Sequence, residues 1–363
     1  MLTFTAVLLI CHKTQGQNGT AVSKLWIEAR GHYGFVAPHH DNIVHLTSQH
    51  FGMTELNLFM RTNGDNFWEQ QHKYPLKGIS FLYTDLGGNP YLGRAAAVIP
   101  YLNFQLTKGQ KVGLWFRFGV GAGYLSRRFD RTENHKNIAI GSHFNAAIQM
   151  MYELRWRIVP RLDFCAGLGL THFSNGAIKV PNLGINIFTL SSGLAYKLNR
   201  TELPRKVSET TEVLDRKWEF SAFAVFGFSE LYAAYGPKYY AFMLSGSALK
   251  PIGHRGKRKI GIGLDISWDA AVVESMLRIS QEFSHPAEAI RPGLSFTQRM
   301  DFSRLSILMQ LGFYTYTKYK DDGYIYDRLA LQYRFGKHYM IHLGLKTHLF
   351  KADMIEYGVG YRF

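Results

Sequence analysis

Cysteine is nearly absent from this chain: Cys11 and Cys165 are the two in 363 residues. Cys11 falls in a leading stretch expected to be removed, which leaves one thiol. One thiol forms no intramolecular disulfide and no metal cluster. Long apolar runs are missing too. No stretch of 18 consecutive apolar residues occurs, so no transmembrane helix is available. Acidic residues are scarce, 27 Asp and Glu against 42 Lys and Arg, for a net charge of +15. Such an excess raises nucleic acid as a partner. However, the basic residues are scattered over loops and strand faces, with no helical stripe, zinc spacing or nucleic-acid motif beside them, so no nucleic acid is expected. The preferred anion is the phosphorylated glycolipid of an outer-membrane surface; ordinary loop solubility accounts for the charge equally well.

Aromatics make up 15% of the chain and Gly contributes 35 residues, yet mean hydropathy is only −0.13. Alternating strands of an outer-membrane barrel have this composition, and so does a soluble β-sandwich. The chain starts with a short apolar core ending at Ile10, then Cys11-His12-Lys13-Thr14-Gln15-Gly16. This predicts a signal peptide over 1–16, although no basic residue precedes its apolar core. Ile10 is too bulky for the position before a lipid-modified Cys11.

Apolar residues then recur with period two, the mark of strands with two unlike faces. Val112, Leu114, Phe116, Phe118, Val120 and Ala122 alternate with Lys111, Gly113, Trp115, Arg117, Gly119 and Gly121. The pattern predicts eight strands before residue 198. Short turns near 62–66, 107–110 and 159–160 alternate with long loops at 38–51, 126–138 and 175–184. Outer-membrane barrels show this asymmetry, with the long loops outside the cell. A charged, Pro-containing linker covers 199–216. Eight more strands follow over 217–363, with a helix expected at 270–279. The fold class is therefore all-β: an antiparallel transmembrane β-barrel of about 16 strands in two similar halves, 17–198 and 217–363. Two closures stay open, two eight-stranded barrels or one wide one. A terminal aromatic, Phe363, suits a closing strand, and the barrel-assembly machinery is the expected folding partner.

The strand over 161–174 holds the chemistry. Leu162, Phe164, Ala166, Leu168, Leu170, His172 and Ser174 share one face. A polar pair on an apolar face is costly unless satisfied. Two residues apart on a strand, His172 and Ser174 lie roughly 6–7 Å apart at the backbone, so their tips can meet. Histidine is the usual base for a serine nucleophile. Asn175 offers a side-chain amide to a developing oxyanion, and the Gly176 amide is a second donor. A third group must orient the imidazole from the same face, and Asn186 on the next strand is placed there. Taken alone, a His and a Ser solvated at a barrel rim is the blander account.

The run Leu170-Thr171-His172-Phe173-Ser174-Asn175-Gly176, a loop with Pro181-Asn182, and a strand ending Tyr196-Lys197-Leu198 resemble the lipid A 3-O-deacylase (PagL-type) acyloxyacyl hydrolases. Residues 24–198 would cover that whole barrel. The resemblance implies an esterase acting on lipid A of lipopolysaccharide, with its site on the outer wall in the outer leaflet of the outer membrane. It implies Ser174 as nucleophile, His172 as base and Asn175 as oxyanion-hole residue. It departs at the triad acid: the family has Glu twelve residues after the Ser, where this chain has Asn186. Asn orients an imidazole but gives it no charge, which implies weaker catalysis or an inactive barrel serving as a pore or surface scaffold. Glu28, Glu55 and Glu153 are expected in the lumen and so do not substitute.

The second half reads as a degenerate copy. Aligning Leu343-Gly344-Leu345 with Leu168-Gly169-Leu170 puts Thr347 at the His172 position and Leu349 at the Ser174 position. No nucleophile–base pair is expected there. His39, His40 and His45 read as a headgroup-facing loop rather than a metal site. Asp321-Asp322-Gly323 reads as a turn rather than a calcium loop. The Gly119, Gly121 and Gly123 series is lumen-facing strand, since no helix follows to bind phosphate. No metal or cofactor is expected.

Overall fold

Period-two alternation becomes sixteen antiparallel strands in the computed structural model. It describes residues 25–363 except 48, 110, 199–216, 233–235, 254–255, 280–283 and 350. The expected signal peptide, 1–16, and linker, 199–216, lie outside the described residues. The first eight strands are β1 Leu25–Val36, β2 His50–Arg61, β3 Leu76–Thr84, β4 Ala95–Gln105, β5 Val112–Leu125, β6 Phe144–Val159, β7 Leu162–Ser174 and β8 Ile185–Lys197. The second eight are β9 Glu219–Glu230, β10 Lys238–Ile252, β11 Arg258–Asp269, β12 Arg291–Phe302, β13 Leu305–Tyr314, β14 Ile325–Phe335, β15 Tyr339–His348 and β16 Lys351–Arg362. A short helix α1, Phe67–Gln71, lies between β2 and β3, and α2, Ala270–Ile279, follows β11.

Closure is decided by the register. β1 pairs with β8, Ala29 opposite Leu194. β9 pairs with β16, Phe228 opposite Ile355. The chain therefore forms two closed eight-stranded barrels, not one wide one. The long connections of the first barrel, 37–49, 85–94, 126–143 and 175–184, all leave one end.

Eight strands enclose a space that side chains fill. In the first barrel the filling is ionic. Glu28, Glu55, Glu153 and Arg117 are fully or almost fully buried, with Arg30 and Arg155 close behind. Arg117 Nε lies 2.7 Å from Glu153, and Arg155 Nη2 2.8 Å from Glu28. Ions removed from water are stable only in such close, hydrogen-bonded sets. The second lumen uses the same device, with Arg328 Nε 2.7 Å from Glu356 and Tyr326 donating to Asp265. Where strand β5 supplies only glycine, aromatic rings from neighbours take the volume. A Cβ at Gly123 would lie 2.5 Å from the Phe173 ring.

Outward positions are the reverse. Leu168, Leu190, Leu194, Ile262, Leu264 and Leu311 are each more than half exposed. An apolar outer wall around a closed polar lumen is the arrangement a bilayer requires. No helix among the described residues is long and apolar enough to cross a membrane.

The barrels stand side by side and touch at both ends. At the short-turn end Phe302 packs on Trp68, with centroids 5.8 Å apart, and on His72, 4.9 Å. At the long-loop end the contact falls on residues 176–180, which follow β7. Strand tilt of about 35–45° carries a strand partway round a small barrel. That is how the α1 region and the end of β7, far apart in strand order, both face the second barrel.

Candidate active site

β7 and β8 are in register so that His172 faces Asn186. Both project from the outer wall, since Asp163, Cys165, Thr171 and Phe173 take the inward positions of β7. His172 Nδ1 lies 2.6 Å from Asn186 Oδ1. The amide oxygen can only accept, so Nδ1 carries the proton and Nε2 keeps its lone pair. That is the tautomer a general base needs. Gly184, at φ 82, makes room for the ring: a Cβ there would lie 2.8 Å from His172 Cε1. The loop after β1 braces the same region. Ala37 N donates to Asn186 O at 2.8 Å, and His39 Nε2 donates to Leu183 O at 2.8 Å.

Ser174 ends β7 opposite Ala146 of β6. The Gly176 N–H donates to its Oγ at 3.4 Å, so this amide faces the hydroxyl. Gly176 and Ala177 both adopt the left-handed conformation, at φ 61 and 62. The two turn the backbone sharply just past the serine. Asn175 is committed differently from the expectation. Its Nδ2 donates to Ser142 Oγ at 2.8 Å and its Oδ1 accepts from Lys179 N at 3.2 Å. Its own N–H donates to Asn182 Oδ1 at 3.0 Å. Asn175 thus secures the loop, with one amide hydrogen left over.

The structure therefore brings His172, Asn186, Ser174 and Gly176 to one patch of outer wall. The lumenal carboxylates Glu28, Glu55 and Glu153 stay inside the barrel, bound to arginine. In the second barrel Thr347 donates to Asp327, and His348 turns inward to Tyr314, 2.9 Å away. Leu349 is exposed. No group of three or more His, Cys, Asp or Glu side chains fit to hold a metal occurs among the described residues. His45 Nε2 donates to Lys136 O at 2.8 Å, and Asp322 pairs with Arg291 at 2.8 Å.

One property of the site was not expected. By parity Ser174 faces outward, but it is only 6% exposed. The second barrel stands against it. A Cβ on Gly176 would lie 2.4 Å from Ile355 Cδ1 of β16 and 3.2 Å from Leu345 Cδ1 of β15. A signal was available in β9, whose outward row runs Phe220, Ala222, Ala224, Phe226, Phe228 and then Glu230. A carboxylate ending an apolar row needs a partner just as the His–Ser pair does.

Residues 54–195 match the family model described as lipid A 3-O-deacylase (PagL). Residues 216–363 match the model described as acyloxyacyl hydrolase, C-terminal domain. No curated protein sequence matches the chain. Similar solved structures include the outer membrane enzyme PagL, at 16% identity and a TM-score of 0.31, covering 46% of this chain and 97% of that one. Neisserial surface protein A is similar at 12% identity and a TM-score of 0.35, covering 48% of this chain and 97% of that one.

Proposed function

Because the chain belongs to the lipid A 3-O-deacylase (PagL) family of outer-membrane β-barrels, we propose that it hydrolyses an ester-linked acyl chain of lipid A at the outer leaflet. The observation that carries this reading is the 2.6 Å contact of His172 with Asn186, two residues along the same outward face of β7 from Ser174, at the seam with the second barrel. His172 Nε2 takes the Ser174 proton as Oγ attacks the ester carbonyl. The resulting oxyanion accepts a hydrogen bond from Gly176 N–H and from the spare hydrogen of Asn175. Collapse of the tetrahedral intermediate releases the sugar hydroxyl, which takes its proton from His172. Water, deprotonated by the same imidazole, then frees Ser174 and the fatty acid. The apolar wall accepts the acyl chain, and the basic loops suit the headgroup phosphates.

Asn186 in place of an acid favours a second reading, a catalytically inactive barrel kept as a surface scaffold. The pore version has little support, because paired charges fill both lumens. Mass spectrometry of lipid A from cells with and without the protein separates the readings. Expression is expected to remove one acyl chain, and Ser174→Ala to restore the parent mass. Equal acylation in all three samples would leave the scaffold reading standing.

A further inference from the structure

Glu230 ends the outward row of β9 and is 7% exposed. A carboxylate on a lipid-facing wall demands compensation, and it finds it on the other barrel. Its backbone N–H donates to Ala177 O at 2.9 Å. Its Oε2 accepts from Val180 N at 3.0 Å. Its Oε1 lies 2.8 Å from Lys238 Nζ, and that ammonium in turn donates to Ile178 O. Three residues of the loop that follows the serine, 177, 178 and 180, are thus tied to one residue pair of the second barrel. The loop needs such ties. Ala177 has a Cβ yet sits at φ 62, a conformation that persists only where the surroundings over-determine it. Its neighbour Gly176 carries the amide that faces Ser174 Oγ.

We propose that Glu230 is a positioning residue for the first barrel's site: the second barrel, which has Thr347 and Leu349 where the repeat would put a base and a nucleophile, holds the 175–180 loop so that the Gly176 amide stays aimed at the reacting carbonyl. The proposal rests on the esterase reading of Ser174. Leu345 and Ile355, which meet Gly176 from the same side, complete the wall against which the acyl chain would lie. This gives the second barrel a task in the reaction, and gives a reason for a buried acid at the end of an apolar strand face.

The test uses the full chain in detergent micelles, with correct folding checked by heat-modifiable migration. Hydrogen exchange across 175–180 and hydrolysis of lipid A are measured for wild type, Glu230→Ala and Glu230→Gln. Glu230→Ala is expected to raise exchange at Val180 and to lower kcat on the order of ten-fold or more with KM little changed, the loss that follows a small misplacement of a catalytic donor. Glu230→Gln keeps an acceptor for Val180 N–H and is expected to recover most of both. Unchanged exchange and unchanged kcat in Glu230→Ala would overturn the proposal. Should Glu230→Ala not fold, Lys238→Met removes the second tie and is read the same way. Wild type that is no faster than Ser174→Ala refutes the esterase reading instead, while exchange at Val180 still decides whether Glu230 holds the loop.

Discussion

Asn186 is the residue on which the chemistry turns. Its oxygen fixes the imidazole as the Nδ1–H tautomer at 2.6 Å, so orientation is retained without a carboxylate. What is missing is charge. A carboxylate stabilises the imidazolium that forms as Ser174 loses its proton, and charge-assisted hydrogen bonds are about twice as strong as neutral ones. Replacing a triad acid by its amide costs about 10⁴-fold where the amide enforces the wrong tautomer. Here the tautomer is right, so a smaller deficit is expected. Asn186→Glu should therefore raise ester hydrolysis by roughly ten- to a hundred-fold at neutral pH, and Asn186→Ala should lower it. Initial rates per folded molecule test this. A glutamate variant no faster than wild type, in a preparation where Ser174→Ala is inactive, would show that the missing charge does not limit the reaction. This residue is legible in the sequence, because strand parity puts it on the same face as His172 one hairpin away, and the register then sets the two opposite each other.

The strands were legible for the same reason. Period-two alternation is set by the pleat, and a wall with lipid on one side and packed charge on the other keeps it strict. Predicted and observed strands agree closely along both halves, and α2 occupies its expected span. Facing followed too, including the inward Glu28, Glu55 and Glu153. Closure and contact between barrels were not legible, because they depend on which edges meet, and each strand looks alike from its sequence. Ser174 was expected on an open wall for that reason. The roles of small residues were half legible: Gly123 was expected in the lumen, but not what fills its space. The ring of Phe173 lies where a Cβ on Gly123 would stand, 2.5 Å away. Phe173 is also the residue between His172 and Ser174, so β5 helps set the rotation of β7. Gly123→Val should displace that ring, destabilise the barrel by about 1–3 kcal/mol through overpacking, and reduce hydrolysis. Urea-dependent loss of heat-modifiable migration reports the stability. Phe173→Leu in the same chain should recover part of both losses; if it recovers neither, the two positions are not coupled.

Two barrels that are each closed, and each filled by their own ion pairs, have no need of one another to bury a core. Their association must come from the few places where they touch. At one end this is Glu230 and its loop; at the other it is the cluster of Trp68, His72 and Phe104 around Phe302, with His72 and Phe302 centroids 4.9 Å apart. The second contact carries a titratable group outside the strands. Burial, with Lys257 nearby adding to it, holds the His72 imidazole down to about 4 from the ordinary 6.5. Its Nε2 has no hydrogen-bond partner among the described residues, so no acceptor stands ready for a second proton. The sign follows from linkage. Separated barrels would bind a proton at His72 with the ordinary affinity, and docked barrels bind it only near pH 4. Docking is therefore at full strength above about 6.5, weakens as pH falls between 6.5 and 4, and is constant below. NMR titration of His72 in micelles measures this directly, and Phe302→Ala, which opens the site, should return the imidazole toward its ordinary value. His72→Phe should remove the acid sensitivity of the association. A wild-type His72 that titrates near 6.5 would mean that the aromatic contact leaves the imidazole in water, and that the barrels are held together at the Glu230 end alone.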